Sequence, residues 1–151
     1  MVREYRISAG GIIIKHDRLL LVRTNNGREG NFLVAPGGGV IGDESIYETA
    51  IREVHEETGL VVKPIKILFV EDLLSRQHRI VKIWFLCQHF GGQLKNTPQA
   101  LEESICEIGW YSREQLQKET VYPTGIMDYD WSEFVINNWE TKYLGISRTK
   151  Y

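Results

Sequence analysis

One helix signal in the middle of the chain constrains the fold more than any other feature. Residues 45–48 form a capping box, the run to Thr58 contains no Pro or Gly, and Gly59 stands where a helix C-cap belongs. Ile46, Ala50 and Val54 recur at helical spacing and share one face. We therefore predict an amphipathic helix over residues 45–58 whose apolar face packs against a core.

Apolar, β-branched runs lie on both sides of this helix and predict strands. Two early runs around a short polar turn indicate a hairpin, and a third ends at Pro36. The predicted strands are residues 7–14, 19–22, 32–35, 65–70, 78–90 and 105–111, with a polar loop over 96–103 and short helices beginning at Ser112 and Asp130. No βαβ unit repeats. The pattern favours the α/β (α+β) class, a single domain over residues 1–151, and a mixed sheet with helices on both faces.

The composition is that of an ordinary globular protein and excludes several classes. Hydrophobic residues make up 42% and charged residues 25% of 151, and the net charge is −2. Without a basic field, stable nucleic-acid binding is not expected. No apolar run is long enough for a membrane helix, and no secretory signal is recognisable, so we expect a cytoplasmic protein that does not bind membranes.

Charge is unevenly distributed, and the predicted helix carries most of the excess. Residues 38–60 hold six acidic side chains and one basic one, a net charge of −5 that leaves +3 elsewhere. Glu53, Glu56 and Glu57 lie within an arc of roughly 100° on the helix, where like charges repel. Such a cluster favours a bound cation that offsets the repulsion.

Hard divalent cations suit these carboxylates. Mg²⁺ takes oxygen ligands and is usually held by one or two carboxylates together with substrate phosphates. The glycines at 37–39, just before the helix, let backbone groups approach a metal or a phosphate closely. The pattern predicts metal-dependent hydrolysis at phosphorus.

The spacing of these residues resembles that of a known family. Gly38, five residues, Glu44, seven residues, and then Arg-Glu-Val-His-Glu-Glu-Thr-Gly-Leu over 52–60 match every defining position of the Nudix box. The resemblance to Nudix hydrolases extends more loosely over residues 7–116. It implies an α/β/α sandwich with a mixed β-sheet and a catalytic loop-helix-loop, and Mg²⁺- or Mn²⁺-dependent hydrolysis of a nucleoside diphosphate linked to another moiety.

The resemblance also implies roles for individual residues. Glu53, Glu56 and Glu57 match the metal-binding carboxylates, and the backbone carbonyl of Gly38 or of its neighbour matches a further ligand. Arg52 and Glu44 match residues that orient the cluster and that we class, with Glu53, as catalytic. The base is a box glutamate in some members and a glutamate from a later loop in others, and Glu102, Glu103 and Glu107 are the later candidates here. Ile41 stands where many members have a further glutamate.

Substrate-selecting residues are less clearly marked. Arg23 and Arg28 flank the loop ahead of the box and are candidate phosphate contacts, with Glu103 and Glu107 as further substrate-binding candidates. Core packing is expected for four aromatic side chains that could otherwise stack on a base: Tyr5, Phe32, Trp84 and Trp131. Residues 75–78 match none of the subfamily signals beyond the box.

Several substrates and one other class of function therefore stay open. A (deoxy)nucleoside triphosphate or an oxidised nucleotide is the favoured small-molecule substrate, with ADP-ribose, nucleotide sugars and dinucleoside polyphosphates as alternatives. A non-catalytic sensor of nucleotide metabolites is the alternative of another class, and the intact box argues against it. Decapping of RNA ends is disfavoured by the charge balance. A homodimer is compatible with the sequence.

Overall fold

The computed structural model describes residues 2–26 and 30–148. Its helices are α1 (Ile46–Thr58), α2 (Pro98–Glu102) and α3 (Arg113–Leu116), with 3-10 helices at Thr124–Asp128 and Trp131–Val135. Its strands are β1 (Glu4–Ile12), β2 (Ile14–Lys15), β3 (Arg18–Asn26), β4 (Gly30–Val34), β5 (Gly37–Gly39), β6 (Leu60–Leu74), β7 (His78–Gly92), β8 (Ile105–Ser112), β9 (Val121–Tyr122) and β10 (Lys142–Arg148).

The described strands form two sheets. The first has the order β10-β6-β7-β1-β5, with β1 parallel to β7 and antiparallel to β5. The second has the order β2-β3-β4-β9, and β8 pairs with β3. The first sheet is the predicted mixed sheet. Side chains from both sheets pack together in the larger core cluster.

The predicted hairpin between residues 7–14 and 19–22 is formed only by the residues next to its turn. Ile14 and Lys15 pair with Leu19 and Arg18, whereas β1 pairs with β5 and β7. The chain leaves the first sheet at buried Ile13, whose carbonyl accepts from Leu20 N–H. Long-range pairing with β7 thus replaces the local pairing that the sequence suggested.

Helix α1 has the predicted boundaries and caps. Ser45 is the N-cap with a reciprocal capping box to Glu48, and Gly59 ends the helix at φ 84°. Ala50 and Val54 are fully buried against a core cluster that includes Ala9 and Phe85. The helix therefore lies on the face of the first sheet from which Ala9 projects.

The opposite face of the first sheet carries the larger core. Phe69 and Trp84, in register on β6 and β7, pack there with Trp131 and Phe134 from the second 3-10 helix. Trp84 and Trp131 are buried as predicted, and Phe32 is half-buried, but Tyr5 is 76% exposed near the start of β1, so its predicted core position is wrong.

Two short segments differ from expectation. The polar loop predicted over 96–103 contains α2, with Thr97 as N-cap and Pro98 in its first turn. That pairing is itself a helix-start signal. The helix predicted after Asp130 is a short 3-10 helix with the expected cap, and Val135 at its end is exposed. No helix among the described residues is long and apolar enough to cross a membrane.

Candidate metal and active site

Strand β5 and helix α1 touch at a point where no side chain fits between them. A Cβ built on Gly38 would lie 2.5 Å from Glu53 Oε1 and 2.8 Å from Oε2. Gly38 pairs with Ala9 of β1, and its missing side chain leaves room for the Glu53 carboxylate. The glycine is thus required by the close approach of a helix side chain to an edge strand.

Three carboxylates meet beside this contact. One oxygen each from Glu53, Glu57 and Glu103 lies within 4.8 Å of the others. Glu53 and Glu57, one helical turn apart on α1, are only 4% and 3% exposed, and Glu103 is an exposed residue at the C-cap of α2. Of the three later glutamates that the sequence left open, the fold therefore brings Glu103 to the box carboxylates.

Burial and mutual repulsion perturb the two helix carboxylates. Desolvation, and then the charge of Glu103, raises the pKa of Glu53. Desolvation, and next a hydrogen bond that the protonated Glu57 carboxyl donates to Glu103, raises the pKa of Glu57 well above its ordinary value. Glu53 Oε2 is buried and has no hydrogen-bond partner among the described residues. An orphaned carboxylate oxygen beside two further carboxylates is the donor set that a hard divalent cation takes, so these residues fit Mg²⁺ or Mn²⁺.

Arg52 holds the surroundings of this cluster in place. Its guanidinium donates to Glu53 Oε1 at 2.8 Å, to Glu56 Oε2 at 3.1 Å, to Glu44 Oε1 at 2.6 Å and to the Gly39 carbonyl at 2.9 Å. A planar fork with five donors can satisfy acceptors in several directions at once. Arg52 thereby connects β5 to the side chains of three glutamates.

Glu44 is the main partner of that arginine. Hydrogen bonds from Arg52, foremost, and also from the Ile41 backbone and the Thr49 hydroxyl lower the pKa of Glu44 to about 2. Thr49, for which no role was predicted, is fully buried and donates to Glu44 Oε1 at 2.8 Å. Its place one turn before Arg52 on the same helix was the available signal.

Glu56 and Glu57 have different surroundings despite being neighbours. Glu56 is partly exposed, and its carboxylate lies on the Arg52 guanidinium, outside the group of three oxygens. Glu57 Oε2 accepts from the Gly37 backbone N–H at 3.2 Å. Strand β5 thus contacts both buried carboxylates, those of Glu53 and Glu57. The role of Glu56 as a metal ligand stays a prediction.

The candidate substrate contacts lie on the second sheet. Arg23 on β3 donates two hydrogen bonds to Glu119 and one each to Glu107 and Asn31. Glu107, its neighbour in register on β8, also accepts from Tyr111 O–H. The Arg23 guanidinium is therefore already paired with carboxylates. Arg28 lies outside the described residues.

Known proteins have sequences similar to that of this chain. An ADP-ribose pyrophosphatase from Methanocaldococcus jannaschii is 35% identical over 105 residues, which cover 68% of this chain and 62% of that protein. An 8-oxo-dGDP phosphatase from Mus musculus is 40% identical over 81 residues, which cover 54% of this chain and 24% of that protein. The chain thus spans less than two thirds of the length of these relatives.

Solved structures share the fold. A NUDIX hydrolase from Nitrosomonas europaea superposes with a TM-score of 0.74 at 15% identity, covering 99% of this chain and 82% of that one. The family model of the NUDIX domain matches residues 4–126. Because that match covers most of the chain, including the acidic site and the strands around it, the chain belongs to the NUDIX family.

Proposed function

We propose that the chain is a divalent-metal-dependent hydrolase of a phosphoanhydride bond in a nucleoside diphosphate linked to another moiety. The observation that carries the proposal is the group of Glu53, Glu57 and Glu103 oxygens within 4.8 Å, with one buried oxygen that lacks a partner. Two carboxylates this deeply buried are costly unless a cation compensates them.

Each group has a distinct task in this proposal. Glu53, Glu57 and Glu103 hold Mg²⁺ or Mn²⁺, which when bound neutralises phosphate charge and lowers the pKa of a coordinated water. Arg52 fixes the Glu53 carboxylate by a charge-assisted hydrogen bond, and Glu44 fixes Arg52 in turn. Glu103, rather than Glu102 or Glu107, is the later glutamate that we assign to this cluster, because its carboxylate lies beside those of Glu53 and Glu57.

The favoured substrate is a (deoxy)nucleoside triphosphate or an oxidised nucleotide, and similarity to an 8-oxo-dGDP phosphatase supports this choice. ADP-ribose is the second candidate, because the archaeal relative at 35% identity is named an ADP-ribose pyrophosphatase. Arg23 remains a proposed phosphate contact, which would require it to exchange at least one of its carboxylate partners for substrate.

The test is a hydrolysis assay of purified protein with Mg²⁺ and then Mn²⁺. The panel contains nucleoside triphosphates, oxidised dGTP and dGDP, ADP-ribose, dinucleoside polyphosphates and nucleotide sugars, with phosphate, pyrophosphate and nucleotide products all measured. Turnover of a panel member that EDTA abolishes supports the proposal. Silence across the panel with both metals overturns it in favour of a nucleotide sensor.

Glu53→Gln and Glu57→Gln then test the site itself. Each should reduce kcat by roughly a hundredfold or more while the circular dichroism spectrum is unchanged. Glu48→Gln is the matched control on the same helix, because within the described part of the chain its carboxylate accepts only in the capping box, where Gln serves equally well. Equal losses in all three variants would contradict the assignment of the site.

A further inference from the structure

The segment after β7 packs on the C-terminal end of α1. The backbone passes so close that a Cβ on Gly59 would lie 2.4 Å from the Gln93 carbonyl oxygen, and one on Gly92 would lie 2.3 Å from the Gly59 carbonyl oxygen. Lys95 N–H donates to the Thr58 carbonyl at 3.1 Å. The segment between β7 and α2 is therefore held against the C-terminal end of α1, the helix that carries the box glutamates.

The hydroxyl group of Thr97 forms hydrogen bonds with both helices. Thr97 Oγ1 donates to the Glu56 carbonyl and accepts from the Ala100 N–H at 3.0 Å, and Thr97 is 5% exposed. The Glu56 carbonyl is one of the last four of α1, which have no partner within the helix. Thr97 therefore satisfies the C-terminal end of α1 and is also the N-cap of α2.

Helix α2 depends on such attachments for its position. It has five residues, too few for an isolated helix to be stable in water. Beyond Thr97, its buried anchor is Ala100, which packs with Val22 and Ile105. Its C-cap is Glu103, whose backbone N–H donates to the Gln99 and Ala100 carbonyls. The placement of the Glu103 carboxylate thus follows the placement of α2.

We propose that Thr97 is a positioning residue that sets the distance of Glu103 from Glu53 and Glu57, and through it the affinity of the site for a divalent cation. Glu56, whose carbonyl Thr97 binds, directly precedes Glu57 on α1. The hydroxyl therefore links the two elements that supply the three carboxylates at a point next to one of them. This inference rests on the proposed metal-dependent function and extends it to a residue outside the box.

The experiment is a double-mutant cycle on Mn²⁺ affinity, measured by calorimetry or by electron paramagnetic resonance without substrate. Thr97→Val removes the hydroxyl at nearly constant volume and should weaken Mn²⁺ binding by about tenfold, the usual effect of losing a residue that orients a ligand. Thr97→Ser, which keeps the hydroxyl, should bind as the wild type does. In a Glu103→Gln background, Thr97→Val should cause no further loss.

Thr58→Val is the matched control at the same helix end. Its hydroxyl is fully buried, donates to the Val54 carbonyl at 2.6 Å and makes no hydrogen bond to α2 among the described residues. Whatever it costs in thermal stability, any change in Mn²⁺ affinity should be the same with and without Glu103. If Thr97→Val does not fold, Thr97→Gly removes the donor to α1 without adding a charge, and glycine is tolerated at the N-cap of α2.

The outcomes separate the two proposals. A wild type that does not bind Mn²⁺ overturns the proposed function and the role of Thr97 together. A wild type that binds Mn²⁺ while Thr97→Val binds equally well, or loses the same affinity in the Glu103→Gln background, overturns the role of Thr97 alone.

Discussion

Replacing Gly38 by alanine tests how closely the Glu53 carboxylate must be held. The added Cβ would lie 2.5 Å from Oε1, 2.6 Å from Cδ and 2.8 Å from Oε2 of Glu53. Unstrained contacts between such atoms begin at about 3.5 Å. The carboxylate must therefore withdraw by about 1 Å. It has little room to do so, because the Glu53 side chain is 6% exposed and Oε1 is held by Arg52 at 2.8 Å.

A displacement of that size should reduce activity more than stability. Misplacing a reacting group by 1 Å costs on the order of a hundredfold in rate, so kcat should fall by about that factor. Overpacking of this kind destabilises a protein by about 1–3 kcal/mol, which a shift in thermal midpoint would report. The φ of Gly38 is not in the left-handed region, so alanine is compatible with the backbone there.

Gly39→Ala is the control for this prediction. It stands next to Gly38 on β5, is exposed, and its Cβ would meet no atom within 4 Å among the described residues. The assay compares kcat for the best substrate, Mn²⁺ affinity and the thermal midpoint of both variants with the wild type. Activity of Gly38→Ala within threefold of wild type would refute the reasoning, and equal losses in both variants would locate the effect in the strand backbone instead.

Further expectations concern the residues around this contact. Arg52→Lys loses the planar fork and should lower kcat by about 10- to 100-fold, measured by steady-state kinetics. The pKa of Glu44, about 2, means that its stabilising contribution is complete above pH 4.5 and is lost as pH falls towards 2. In Glu44→Gln, the free energy of unfolding should therefore fall less steeply than in the wild type as pH decreases from 4.5 towards 2, as measured by urea unfolding at each pH. The same decrease in both proteins would contradict this. Because burial raises the pKa values of Glu53 and Glu57, their contribution to the stability of the metal-free protein is complete below pH 4.5 and is lost as pH rises through their folded pKa values. Mn²⁺ binding should then release protons, detected by calorimetry in buffers of different ionisation enthalpy, and enthalpies independent of the buffer would count against it.

Local signals predicted the parts of the fold that are local in sequence. The capping box at Ser45 and the C-cap at Gly59 gave α1 its observed boundaries, because caps act within one turn of the residues that they bond. The long antiparallel strands on either side of residues 75–77 were also recognised, although both extend further than the apolar runs.

Pairings between distant segments could not be predicted in this way. The pattern of residues 7–22 contained a plausible hairpin, and β1 nevertheless pairs with β7, more than 70 residues later. The signal for α2 was present in Thr97 and Pro98 but was outweighed by the polar character of the surrounding loop. In both cases tertiary contacts decided between local alternatives.

The four-residue spacing of Glu53 and Glu57 on one helix was enough to indicate two carboxylates one turn apart, and with them the cation chemistry of the site. Which later glutamate joins them depends on how α2 packs against α1. Glu103 lies 50 residues beyond Glu53 and arrives on a short helix tied to α1, whereas Glu107 lies on the second sheet against Arg23. Helical periodicity relates residues a turn apart, but the distance between residues on separate elements depends on how those elements pack.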